Sequence, residues 1–399
     1  MMFLSSIFWM FLSYPVTVFL TFLGTVTLTA VVYLKSLFRR KPCLPKLYYK
    51  ESSLSKHILH RCQTFQSQFK PPIWARSSHV QTLLGMCPVN QRLKLSRKYI
   101  QMQDEGVVSL GELDRVKISD SLAPIVIVVP DATGNKRIVA GIFEEAKSNH
   151  MRPVLFSGRG QNGNKLTTTK LTDYGDPSDL REVVQYLLYG KHFVKLSLIG
   201  IGAGGDLVMS YLGEYGSSAH VQSAVCISPT YDSETVYNEK IPKLYEIIYL
   251  VFLKTVLGKY IKHFSKTLDI RKIMKLWNFK DILEKVYCIL NGHSNSEEYW
   301  ENNSPLRDVD EISTPVLCIS SIDDPMCSHD IIPYDLFTTS PNMFLVTTDY
   351  GGHAGFVPSL LSNSWTAKAS IEYIKSFLVF ESKQNGHSKS NSKLNLKVV

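Results

Sequence analysis

The sequence predicts an α/β fold built on a doubly wound, mostly parallel sheet, and three observations carry that reading. Short apolar, β-branched runs alternate with stretches of helical periodicity along most of the 399 residues, the order that sets crossover helices between parallel strands. One run, "PIVIVVP" at 124–130, is apolar without a break, as a strand covered on both faces must be. A third segment, "SLIGIGAGGDLVMSYLG" at 197–213, passes from a β-branched run through a knot of glycines directly into a helical pattern.

The chain opens with residues 1–34, which contain no charged side chain, whereas about 20 apolar residues suffice to span a bilayer. Lys35, Arg39, Arg40 and Lys41 follow at once, and basic clusters favour the cytoplasmic side. A single membrane anchor with a cytosol-facing body is therefore expected. The alternative is a signal peptide and secretion after cleavage, but the segment lacks a basic start and a clear cleavage site, and it is long for one. Residues 35–70 read as a polar, basic connector.

From residue 71 to 380 the folded body is expected. "KYIQMQD" (98–104) and "GVVSLGEL" (106–113) read as two early strands, followed by "PIVIVVP", a helix over about 138–149, and the strand "PVLFS" (153–157). In "YGDPSDLREVVQYLLYG" (174–190), Asp176 can cap a helix, Pro177 suits its first position and Asp179 favours its positive end. Val183, Val184, Tyr186 and Leu187 form its apolar face. "VQSAVCISP" (221–229), "TPVLCISS" (314–321) and "NMFLVTT" (342–348) supply the later strands, and "WTAKASIEYIKSFLVF" (365–380) the closing helix. Between Pro229 and Pro315 the β rhythm stops and helical spacing takes over, as in "KLYEIIYLVFLKTVLGKYIKHF". A helical cap at about 229–310 is predicted there. The tail "ESKQNGHSKSNSKLNLKVV" (381–399) reads as disordered.

Composition narrows the function classes. A hydrophobic content of 44% is ordinary for a globular protein. Seven cysteines are scattered without a CxxC pair, which argues for reduced thiols and gives no metal signature; neither a metal nor a cofactor is expected. The net charge of +9 gathers in the tail and along 243–285, where Lys254, Lys259, Lys262, Lys266, Arg271, Lys272 and Lys275 fall. No nucleic-acid recognition motif accompanies it, so an anionic membrane surface suits the charge better, with a plain solvated face as the alternative. Asn302-Asn303-Ser304 matches a glycosylation sequon, a pattern common by chance.

The chemistry concentrates at the glycine knot. A strand, a sharp turn and a helix mount the nucleophile of a G-x-S-x-G elbow, yet the five positions here are Gly200, Ile201, Gly202, Ala203 and Gly204. With the Trp74, His79, Gln81 and Thr82 segment ("PPIWARSSHVQTLLG") and the stretches "YGDPSDL", "YLGEYGSS", "PLRDVDE", "SSIDDPMC" and "GGHAGF", the chain resembles the α/β-hydrolase superfamily, in its membrane-associated Trp–His–Gln–Thr branch, over about residues 70–380. The resemblance places the charge-relay acid on Asp324 and the histidine on His353, in the chain order nucleophile, acid, histidine. Asp323 is an alternative acid. A turn aspartate before proline and a packed loop histidine are the structural alternatives for Asp324 and His353.

Gly202 occupies the nucleophile position. Ala203 carries no nucleophile, Ser197 is out of phase in the strand, Ser210 lies two turns along the helix, and Asp206 suits a capping role in the first turn. A serine at an elbow sits in a strained backbone conformation costing about 1–3 kcal/mol, which glycine relieves. In "VVPDATGN", Asp131 would oppose an oxyanion unless it faces solvent, pairs with Lys136 or Arg137, or bonds its own turn. "SGRGQNG" (157–163) is glycine-rich but lacks the phasing of a phosphate cradle. The expectation is a hydrolase homologue without serine chemistry that binds a membrane lipid or acyl ligand. The resemblance implies a regulatory place in lipid metabolism, such as restraint of lipolysis through a protein partner. An active lipase or carboxylesterase, with water driven by His353, is the alternative.

Overall fold

In the computed structural model the described residues are 21–25, 27–28, 44–87, 93–113, 122–191, 193–359 and 362–395. Their strands are β1 (Lys46–Tyr49), β2 (Leu95–Gln101), β3 (Val107–Leu113), β4 (Ile125–Val129), β5 (Arg152–Ser157), β6 (Leu196–Ile201), β7 (Ser223–Ile227), β8 (Val316–Ser321) and β9 (Met343–Thr348). They form one sheet in the order β1-β9-β8-β7-β6-β4-β5-β3-β2. From β5 to β9 every neighbouring pair is parallel, while β3 runs antiparallel to both β2 and β5. The predicted architecture is therefore present, with β1 added antiparallel on β9.

The longer helices are α1 (Ser53–Arg61), α2 (Ser78–Met86), α3 (Lys136–Ser148), α4 (Ser178–Leu188), α5 (Ala203–Tyr215), α6 (Lys243–Lys259), α7 (Ser296–Asn303) and α8 (Trp365–Asn395). One face of the sheet packs on α4 and α5 through Leu180, Val183, Leu187, Leu207 and Leu212. The other packs on α1, α3 and α8 through Ile58, Ile138, Ile142, Ala367 and Ile374. Both faces of β4 are thus covered, which is why its sequence shows no polar alternation. The helices between β7 and β8 bury a core of their own around Leu250, Leu257, Phe264, Leu283 and Trp300. This is the predicted cap. In α4 the helix starts at Ser178, and Asp176 accepts the Ser178 amide at 2.9 Å.

Two boundaries differ from expectation. The basic connector of 35–70 is structural from residue 44 onward: β1 extends the sheet, and Ile58, Cys62, Phe65 and Phe69 are buried in the core beneath α3 and α8. These apolar side chains are interspersed among polar and basic neighbours, so the mean polarity of the segment hid its packed residues. The closing helix is continuous to Asn395, past the boundary expected at 380, with no proline to stop it. The predicted anchor at 1–34 lies almost wholly outside the described residues, among which no helix is long and apolar enough to cross a membrane. The six described cysteines are unpaired.

Because Phe65 is a core residue, Phe65→Ala is expected to lower stability by about 3–5 kcal/mol, the usual cost of a buried phenylalanine truncation. Chemical denaturation measures this. A midpoint within error of the parent would return the segment to the status of a passive connector.

Candidate functional site

The elbow takes its shape from close approaches that only glycines allow. β6 delivers the chain to Gly202, whose N–H donates to the Ile227 carbonyl at 2.8 Å and whose carbonyl accepts the Gly205 N–H at 2.7 Å. α5 begins at the next residue. A Cβ on Gly204 would collide with the Val129 carbonyl, so the flanking glycine lets α5 pack against β4. Gly202 itself has φ 55° and ψ −129°, a backbone conformation an L side chain rarely adopts. A Cβ built there would lie 3.1 Å from Asp131 Oδ2 and 3.1 Å from His353 Nε2. Gly202 does occupy the elbow, and two side chains close on the space beside it.

The structure brings both predicted partners together. Asp324 follows β8, and its Oδ1 accepts the amides of Met326 and Cys327 at 2.8 and 3.0 Å. Its Oδ2 lies 3.0 Å from His353 Nδ1, with both side chains buried. Facing a carboxylate, that ring nitrogen is the donor, which leaves Nε2 directed at Gly202. Asp323, the alternative acid, instead accepts the Gly352 amide at 2.9 Å and the Ser321 hydroxyl. Burial, the largest influence on His353, pushes its pKa down; the Asp324 carboxylate beside it, helped by Asp131 and Asp206, outweighs that and holds it above the usual histidine value.

The Trp–His–Gln–Thr segment gains a physical role. Thr82 Oγ accepts the His353 amide at 2.9 Å, and Gln81 brackets Val357 by accepting its N–H at 2.8 Å and donating to its carbonyl at 3.1 Å. The pair can come this close because a Cβ on Gly85 would lie 2.7 Å from the Ala354 carbonyl, and one on Gly355 would strike the Gln81 carbonyl. His79 shares a 2.7 Å hydrogen bond with the Tyr245 hydroxyl and stacks on its ring, tying α2 to the cap helix α6. Trp74 is half exposed. The sequence displayed these residues as a motif but gave no sign that they grip the histidine loop.

Asp131 bonds its own turn, as one of the sequence alternatives had it. Its Oδ1 accepts the Thr133 amide and hydroxyl at 2.7 and 2.6 Å, and its Oδ2 accepts Asn135 Nδ2 at 3.1 Å. Lys136 and Arg137 make none of these bonds. Asp206 is also buried, accepting the amide and hydroxyl of Thr230, each at 2.8 Å, and so pins the start of the cap to α5. Ser197 is buried against Ser223, and Ser210 donates to the Gly175 carbonyl at 2.6 Å. In the 157–163 loop, Arg159 is locked between Asp104 and Asp179. Lys254 leaves the solvated basic face: it is buried, donates to the carbonyls of Met274 and Leu276, and sits 3.6 Å from the centre of the Trp277 ring.

Above Gly202 opens a cleft of about 370 Å³ between the sheet's C-terminal edge and α6. Asp131, Ala203 and His353 form its inner end; Met86, Ile248, Val251, Phe252 and Met326 line its apolar length. This size and character suit an organic ligand with one polar end. Among the described residues no cluster of histidine, cysteine and carboxylate groups could hold a metal ion.

A sheet of this order, a strand–helix elbow at β6, an acid after β8 and a histidine after β9 together define an α/β-hydrolase. No family model matches the chain. Human protein ABHD15 is 32% identical over 347 residues, which cover 84% of this chain and 74% of that protein. The bovine phospholipase ABHD3 is 26% identical, with 85% of this chain and 84% of that one covered. The human monoacylglycerol lipase ABHD2 is 23% identical, with 90% and 92% covered. Among solved structures, an esterase of Pyrococcus furiosus superposes with a TM-score of 0.47 at 17% identity, over 73% of this chain and 96% of that one. The chain belongs to the α/β-hydrolase-domain family that includes ABHD15.

Burial raises the Asp206 carboxyl to about 7, against which its bonds to Thr230 and the His353 charge act only in part. The folded state therefore holds this proton more tightly than the unfolded chain, and stability falls as pH rises from about 4 to 7. His353 acts in the same sense: its raised value gives stability that is complete below about 6.5 and lost as pH climbs through the folded value. Asp206→Asn removes the first titration. Its melting temperature relative to the parent should rise between pH 5 and pH 8, by the equivalent of roughly 2–4 kcal/mol. A constant difference across that range would show that Asp206 is ionised throughout.

Proposed function

We propose that this chain is a non-catalytic member of its family that binds an acyl lipid in the cleft over Gly202 and acts in lipid metabolism by occupancy, through a protein partner, rather than by turnover. One observation carries the proposal. The residue at the elbow is a glycine, and the position its side chain would take is crowded by His353 Nε2 and Asp131 Oδ2, each 3.1 Å away. Loss of the nucleophile alone costs a serine hydrolase about 10⁶-fold in rate. An oxyanion site must also present donors to a developing negative charge, and Asp131 brings a carboxylate to that corner. The relatives named phospholipase and monoacylglycerol lipase support a lipid as the class of ligand. The intact His353–Asp324 pair favours the alternative of an esterase in which the imidazole drives water onto the substrate.

A fluorophosphonate probe reports an activated serine directly, and the parent protein is expected not to label. Gly202→Ser should cost about 1–3 kcal/mol, from the strained backbone and the crowding together. Its labelling should rise above the parent and fall again in Gly202→Ser/His353→Ala. Ester hydrolysis by the parent that vanishes in His353→Ala would establish the water-driven alternative instead.

Residues 1–34 are part of the same proposal, as the anchor that keeps the cleft near its lipid. The full chain should resist alkaline carbonate extraction from membranes, and a chain lacking 1–34 should be released. Mature protein recovered from the medium with a new N-terminus near residues 25–35 would show a cleaved signal peptide instead.

A further inference from the structure

The cleft ends on a carboxylate with spare accepting capacity. Asp131 is 8% exposed, and the Thr133 amide and hydroxyl fill its Oδ1. Its Oδ2 takes one hydrogen bond, from Asn135, and approaches to 3.1 Å the point where a Gly202 side chain would begin. A carboxylate oxygen accepts about two hydrogen bonds, so Oδ2, beside Gly202 on the cleft wall, can take one more. Removing such an oxygen from water without a partner is costly, and a donor arriving with the ligand recovers that cost.

The neighbouring charges reinforce the bias. His353 is the imidazole lining this end, and its Nδ1 is engaged by Asp324 at 3.0 Å. Asp206 lies on the far side of the elbow, with its oxygens turned to Thr230. An anion entering the cleft therefore meets the Asp131 carboxylate at its inner end, where low dielectric makes repulsion strong. A group that donates hydrogen bonds meets an acceptor. Most of the remaining wall is apolar (Met86, Ile248, Val251, Phe252 and Met326), and of its hydroxyl groups Thr133 bonds Asp131, Tyr245 bonds His79 and Thr255 bonds the Val251 carbonyl.

We infer that the cleft selects single-chain amphiphiles whose polar head is a hydrogen-bond donor, a hydroxyl or an ammonium, and rejects those ending in a carboxylate. The inference rests on the lipid-binding reading above and adds the chemistry of the head group. It inverts the preference expected of an oxyanion site, and it assigns that inversion to Asp131.

Displacement of a fluorescent alkyl reporter from the full-length protein, at pH 8 and below the aggregation limit of each lipid, tests it with three heads on one chain: oleyl alcohol, oleylamine and oleate. The alcohol and the amine should each displace the reporter about tenfold more tightly than oleate, the ratio expected for a hydrogen bond to a charged acceptor. Asp131→Asn keeps the acceptor for Thr133 and removes the charge, and it should bring the three ligands within about threefold of one another. Oleate binding as tightly as the alcohol in the parent overturns the inference, whether or not the variant folds, and leaves lipid binding standing. Failure of all three to compete overturns the lipid-binding reading itself. A parent preference that Asp131→Asn leaves unchanged overturns the assignment to Asp131.

Discussion

Everything at the site hangs on the grip of α2 on the histidine loop. That loop follows β9 and has no strand partner to hold it, yet it contains positive φ at Gly352, Ala354 and Phe356. Non-glycine residues in that region cost about 1–3 kcal/mol each and persist only where their surroundings over-determine them. Here the surroundings do so. Gln81 holds Val357 from both sides, Thr82 holds the His353 amide, and Ser228 accepts the Ala354 amide at 3.0 Å. With Asp323 on the Gly352 amide, these contacts fix the imidazole relative to Asp324 and to the elbow. α2 also reaches α6 through His79 and Tyr245, so one short helix sets both the floor of the cleft and its roof.

The consequence of glycine at position 202 is electrostatic as much as chemical. In a working serine hydrolase the imidazole points at a hydroxyl, and the oxyanion donors stand beside it. With no hydroxyl present, His353 Nε2 and Asp131 Oδ2 both border the elbow's unused space. Asp324, Asp131 and Asp206 then act on a single imidazole. Against the effect of burial, these carboxylates together raise the imidazole above its usual value. The geometry of the Asp324–His353 pair is that of a charge relay.

Much of this was legible in the sequence, for reasons that are local. The elbow, Asp324 and His353 sit at strand ends, where chain order and turn residues mark them, and the cap declares itself by a change of period after Pro229. Asp131 was harder. Its identity suggested an Asx turn, but where its second oxygen points depends on the distance between the ends of β4 and β6, which no local pattern encodes. Lys254 was missed for a related reason: on α6 it looks like one lysine of a basic run, and only the loop carrying Met274, Leu276 and Trp277 buries it. Residues 44–70 failed because their few apolar side chains are diluted by polar neighbours, although long-range contacts select them for the core.

The cap helix α6 joins these levels. Its sequence is apolar on nearly all sides, which marks a helix with more than one burial partner. Leu250, Leu253 and Leu257 build the core of the cap. Tyr245, Ile248, Tyr249 and Phe252 line the cleft. Leu244 and Ile247 remain exposed, as does Val251 at the cleft. The cap core keeps the helix folded whether or not the cleft is filled, so the cleft wall does not depend on a ligand for its existence. Polar contacts that cross from α6 and the start of the cap to the sheet side include Tyr245 to His79, Thr230 to Asp206 and Tyr231 to Ser320. The first two end within the elbow and histidine-loop assembly. A displacement of α6 would be felt first at His79 and, through α2, at the loop that holds His353.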